Sequence, residues 1–100
     1  MKKPSDDFDP YVLSVLMPDL VGHDRSPAGF IVYLYLLGMA GRTRRDTVLA
    51  SLQTIATETG LSKSAVQIAL RRLKARGLID PGVTATVKHP ARRVLKPWVR

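Results

Sequence analysis

Between Lys63 and Arg76 the side chains that can form directional polar contacts recur at helical spacing. Placed at about 100° per residue with Val66 inward, Ser64, Gln67, Ile68, Arg71, Arg72 and Ala75 project outward. Lys63 stands at the N-terminal end of this stretch, and Lys74 and Arg76 lie on its flanks. Val66, Ala69, Leu70 and Leu73 share the opposite side, so one face can pack while the other is presented. The presented face carries an amide, guanidinium forks, a hydroxyl, an ammonium and one branched aliphatic group. Arg can grip guanine through two bonds, Gln can grip adenine, and an exposed Ile can touch a thymine methyl. This is the chemistry of reading base edges in a DNA major groove. Lys63, Ser64, Gln67, Ile68 and Arg71 are therefore the candidate base-reading residues, with Arg72 and Lys74 placed for phosphates. A merely solvated charged face is the simpler alternative. It leaves unexplained the capped helix that precedes this one.

Residue types suited to catalysis are sparse. His23 and His89 stand in loops far apart in sequence, and neither has a metal-ligand partner at helical spacing. His23 and Asp24 are expected to share a local hydrogen bond that orders their connection. Glu58 is the only glutamate and falls on the supporting helix. No phosphate-cradling Gly-rich loop, nucleophile elbow or His-Glu-x-x-His occurs. Neither catalysis, a metal nor a cofactor is expected.

The element that must position the outward face begins at Ser51, whose hydroxyl can cap the first turn of a helix. Ile55 and Ala56 are its inward candidates, and Gly60 tolerates the left-handed backbone of a helix end. Leu61 then turns towards the core and Ser62 can cap the second helix. Two capped helices joined by a short turn containing Gly describe a helix-turn-helix over residues 51–76. Ile55-Ala56, Gly60-Leu61-Ser62, Lys63-Ser64-Ala65-Val66-Gln67, Ala69-Leu70-Arg71-Arg72-Leu73 and Arg76-Gly77-Leu78-Ile79 together resemble a winged helix-turn-helix. The stretch is similar to the DNA-binding domains of bacterial GntR-type and MarR-type transcription regulators. In that family the residues corresponding to Lys63, Ser64, Gln67 and Arg71 commonly meet DNA. Gln67 stands where GntR-type proteins often carry Arg, and Ile68 beside it is apolar, so no target sequence carries over.

Composition agrees with a polyanionic partner. The chain has 100 residues, no Cys and a formal net charge of +8, which suits one modest domain without disulfides or thiolate metal sites. Residues 1–25 carry three basic and five acidic side chains, whereas residues 26–100 carry thirteen and three. The basic character belongs to the helix-turn-helix half. Residues 1–8 read as a flexible polar tail. Pro4-Ser5-Asp6-Asp7 falls where a signal peptide would need an apolar core, so a cytoplasmic, nucleoid-associated location is expected.

Asp9-Pro10 is a helix start, with Tyr11–Met17 as a short apolar helix that Pro18 should end. Asp19–Arg25 then reads as a connection. Ser26-Pro27 opens a longer helix to about Ala40, with Gly41 as its stop and a basic loop following to Asp46. Phe30, Tyr33, Leu34 and Leu37 form one apolar stripe on it, and Val32, Tyr35, Leu36 and Met39 a second. A helix apolar on two sides is buried on two sides. Either the short Tyr11–Met17 helix or a second copy of the chain could cover the second stripe. Roughly fourteen residues reach about 21 Å, short of a hydrocarbon core of about 30 Å, so a membrane span is not expected. We expect a homodimer through Tyr11–Met17 and Ser26–Ala40, as is usual for such regulators.

Thr47–Ala50 is β-prone, and the winged-helix resemblance implies that a strand there pairs with the wing. After Gly77 the period changes: Leu78-Ile79 enters a strand, Asp80-Pro81-Gly82 turns, and Val83–Val87 alternates apolar and hydroxyl residues. Lys88–Arg92 would form the tip and Arg93-Val94-Leu95 the return, giving a wing over residues 78–95. Lys88, Arg92 and Arg93 would then reach phosphates or the minor groove. Trp98, the only tryptophan, should pack on the domain.

The expected whole is a mostly helical α+β winged helix-turn-helix over residues 9–100, with an extra short N-terminal helix. Its expected partner is double-stranded DNA, bound sequence-specifically by a transcription regulator. A replication or plasmid-maintenance initiator uses a similar fold. A winged-helix module for protein contacts would dispense with the basic outward face.

Overall fold

A computed structural model describes residues 9–82 and 90–99. The expected tail of residues 1–8, the Val83–Val87 arm and the Lys88 tip lie outside the described residues. The first element is a helical run from Pro10, capped by the Asp9 carboxylate, which accepts from the Tyr11 amide at 2.9 Å. Pro18 does not end it. The run passes through two π-helical stretches, Val12–Leu16 and Pro18–His23, joined by Met17 in helical geometry. In the wider π turn the Met17 amide bonds to the Val12 carbonyl, and the Ser14 hydroxyl takes the Pro10 carbonyl at 2.7 Å. Widening the turn relieves the clash between a proline ring and the carbonyl one α-turn back. The segment read as a connection after Pro18 is thus mostly helix, and it sends Leu20 fully into the core beside Val12.

Helix α1 spans Pro27–Thr43, with Ser26 capping the Gly29 amide at 3.1 Å and Pro27 in the first turn. It continues past Gly41. Thr43 bonds the Met39 and Ala40 carbonyls through its hydroxyl, and Arg44 (φ 55°) supplies the left-handed residue that closes the end. The expected basic loop is therefore half helix. Phe30, Val32, Tyr33 and Leu36 of α1 are all buried within one chain. The helix packs against α3 (Lys63–Ala75), the Pro18–His23 stretch, α2 (Leu52–Thr59) and β1 (Thr47–Leu49). Of the second apolar stripe, Val32 and Leu36 are buried and Tyr35 and Met39 half-buried within the single chain.

Strand β1 pairs antiparallel with β2 (Ala91–Arg93) in the register Thr47 to Arg93, Val48 to Arg92 and Leu49 to Ala91. Ile79 adds a single bridge to Val94, so Leu78-Ile79 borders this sheet without forming a full strand. Leu78 and Ile79 are buried, as is Val94, which seals the sheet onto the helices. Trp98 returns the C-terminal segment to the N-terminal one. Its ring stacks on Tyr11 at 4.5 Å, meets Tyr33 edge-on, and its Nε1 donates to Asp9 at 2.7 Å. The N-terminal helical run and three α-helices around one core, with a small sheet packed against α1, make a mostly helical α+β winged helix-turn-helix.

Candidate nucleic-acid interface

Local chemistry fixes the angle between α2 and α3. Ser51 caps α2 by accepting from the Thr54 amide at 3.1 Å, and Ile55 and Ala56 are its buried residues. Gly60 takes φ 82°, and its amide closes on the Ala56 carbonyl at 2.9 Å. The Thr59 hydroxyl donates to the Ile55 carbonyl and accepts from the Leu61 amide, bracing the turn from inside. Ser62 caps α3 through the Ala65 amide at 3.1 Å. With both caps occupied, the turn resists fraying, which holds α3 at a set angle.

Helix α3 divides as its spacing requires. Val66, Ala69, Leu70 and Leu73 are buried, whereas Lys63, Ser64, Gln67, Ile68, Arg71 and Arg72 are exposed and Lys74 is half-buried. Ile68 keeps 57% of its surface in water, although neighbouring positions offer the helix a well-filled core. Among the described residues no ion pair occupies Lys63, Arg71, Arg72 or Lys74. The first turn of α3 contains no acidic side chain, so its positive helix end is open to an anion. A cationic, hydrogen-bonding face of this shape suits insertion along a charged groove.

Arg76 behaves differently from its neighbours. It donates to both Asp19 and Asp24, the second at 3.3 Å, tying the end of α3 to the N-terminal helical run. The Asp19 contact, first, raises the affinity of the guanidinium for its proton. Gly77 (φ 73°) then turns the chain, and Leu78 bonds back to the Leu73 carbonyl. Asp19 and Asp24 were not recognisable as anchors from local pattern. The segregation of acidic charge into residues 1–25 was the only signal that they face the basic half.

The base of the wing is occupied by its own contacts. Arg92 lies within β2, not at a tip, and is 8% exposed because the register places it opposite buried Val48. Its Nε donates to the Ala50 carbonyl at 2.7 Å, and burial lowers its pKa. Arg93 points the other way, with Nε on Asp46 at 3.0 Å and Nη1 on Asp80 at 3.3 Å. Arg92 was expected at the wing tip and Arg93 on its return, both towards phosphates; alternation along the paired strand turns Arg92 inward and places Arg93 against two acids.

Asp19, His23 and Asp24 approach closely enough to suggest a metal cluster. Arg76 already sits on both carboxylates, and His23 Nδ1 lies 3.0 Å from Asp24 in the expected local hydrogen bond. A cation there would meet a guanidinium, so the group is structural. No helix among the described residues is long and apolar enough to cross a membrane.

No curated protein and no solved structure matches the chain significantly. A family model described as a helix-turn-helix domain matches residues 26–79, from the cap of α1 to the edge of the sheet. That match covers more than half of the chain and contains the whole of α1, α2 and α3. Such a domain suggests DNA as partner, in agreement with the exposed face of α3. The chain belongs to the helix-turn-helix domain family.

Proposed function

We propose that the protein binds double-stranded DNA sequence-specifically and acts as a transcription regulator of the winged type, similar to GntR-type and MarR-type proteins. Lys63, Ser64, Gln67, Ile68 and Arg71 read base edges, while Arg72, Lys74 and Lys88 hold phosphates. Arg92 and Arg93, being engaged within the fold, brace the wing so that residues beyond them can reach the backbone. The observation that carries this reading is the division of α3. Four buried apolar residues fix one side, and a basic and amide-bearing face with an exposed Ile68 in its middle stands opposite, where Lys63, Arg71 and Arg72 make no ion pair among the described residues.

Occupancy of an operator that blocks or recruits polymerase is the simplest output for such a module. Leu13, Met17 and Val21, spaced four apart on the N-terminal run, and Ile31 on α1 are all exposed. They support a homodimer in which a second copy covers that apolar surface and two α3 helices address a two-part site. Fluorescence anisotropy of a labelled random duplex, titrated at several salt concentrations, tests the DNA reading. Affinity should fall with a log–log slope of about −0.9 per phosphate neutralised. Absence of binding at low salt would turn the assignment towards a protein-contact module.

A further inference from the structure

A cleft of about 460 Å³ opens between the C-terminal end of α1 and the segment that leaves the wing. Leu37, Ala40 and Val94 supply apolar lining, Arg44, Arg45 and Lys96 bring three cations to the same space, and the one acid there, Asp46, is held by Arg93 at 3.0 Å. None of these three is in an ion pair among the described residues. The left-handed Arg44 reverses the chain just where the helix ends, which gathers Arg44 and Arg45 beside the cleft. Their amides return to the Gly41 and Ala40 carbonyls, so those carbonyls are already engaged at the helix end. No residue of α3 lines the space, and α1 packs on the buried side of α3, opposite the proposed reading face.

We propose that this cleft binds a small organic anion with an apolar body, such as an aromatic carboxylate or sulfonate. Its volume lies in the range of small-ligand sites, about 300–1,000 Å³. A mineral anion would satisfy the cations but leave the apolar lining in water. A neutral apolar molecule would cover the lining but gain nothing from the three exposed cations at its rim. Only a ligand with both parts uses the whole surface. Arg93 also lines the cleft while holding Asp46 and Asp80, and Asp80 accepts from the Gly82 amide at 2.8 Å in the turn that enters the wing. An occupant that draws on Arg93 therefore acts on the base of the wing. The binding proposal stands independently of the DNA reading.

The test uses 1-anilinonaphthalene-8-sulfonate with the full chain at about 0.15 M salt, reading probe emission and energy transfer from Trp98. Saturable one-site binding is expected, displaced by 2-naphthoate but not by neutral 2-naphthalenemethanol at equal concentration. The R45E/K96E chain should bind at least about tenfold more weakly, at an unchanged melting temperature. Should charge reversal lower that temperature, R45A/K96A should show the loss without repulsion. R25G removes a cation elsewhere, at an exposed residue already in left-handed geometry (φ 52°), and should leave affinity within about twofold. Non-saturable binding, equal displacement by the neutral competitor, or equal affinity in the cleft variants would overturn the proposal.

Discussion

Arg93 Nε lies 3.0 Å from Asp46 Oδ2, joining the end of β2 to the residue that precedes β1. With Asp80 on the same guanidinium, the three strand-forming segments at the base of the wing are pinned by one side chain. Its charge is therefore largely answered before DNA arrives. Arg93→Ala should change the salt slope of duplex binding by less than about half a unit, whereas Lys88→Ala should flatten it by about one. Anisotropy titrations on one random duplex compare them directly. Equal changes would return Arg93 to the phosphate-binding set.

Acid should unfold the protein in a defined direction. The Trp98 indole, then the Tyr11 amide, holds the Asp9 carboxyl below its ordinary value of 3.8. His23, by its hydrogen bond, does the same for Asp24, and Arg93 does so for Asp46. A folded pKa below the unfolded one means stability that is present above the unfolded value and lost as pH falls through the folded value. The melting temperature should be level above about pH 5 and decline below about pH 4. Trp98 emission should shift in the same range, and Asp9→Asn should lessen its acid dependence.

The turn between α2 and α3 offers a backbone test. A Cβ at Gly60 would meet nothing within 4 Å, so Gly60→Ala adds no clash and isolates the cost of φ 82°. That cost is about 1–2 kcal/mol for an L-residue in left-handed geometry. Denaturant unfolding should show it as a lower midpoint with an unchanged slope.

Tyr33 reaches from the middle of α1 to the segment after the wing, its hydroxyl donating to the Leu95 carbonyl at 2.6 Å. Burial raises its phenol pKa, so it stays a donor through the alkaline range. Tyr33→Phe should cost about 0.5–1.5 kcal/mol in the same unfolding measurement.

What was legible in the sequence was local. Ser51, Gly60 and Ser62 each declare a helix end through their own hydrogen bonds or backbone freedom, and the spacing of Val66, Leu70 and Leu73 sets the presented face without outside help. Trp98 was readable as a packed ring, though its partners Tyr11 and Asp9 were not. Pro18 misled because a proline stops an α-turn but fits a widened one, and the helical run passes through it in π geometry. Gly41 misled because a glycine permits a helix end without demanding it, and Arg44 adopts the left-handed geometry instead. Arg92 was unreadable for a non-local reason. Its direction depends on pairing with Val48, more than forty residues earlier, and a one-residue change of register would have exposed it. Arg76 shows the same limit, since its acids come from the opposite end of the chain.

Base reading by the exposed face of α3 is tested by selection from a randomised duplex library. Wild-type protein should enrich a defined motif, and Gln67→Ala or Arg71→Ala should each lose preference at one or two positions of it. On the wild-type site either change should cost about 1–3 kcal/mol, with little loss on random DNA. Both side chains are exposed, so melting temperatures should not move. Recovery of the same motif at the same strength by both variants would rule out base reading by Gln67 and Arg71 and place recognition elsewhere on the protein.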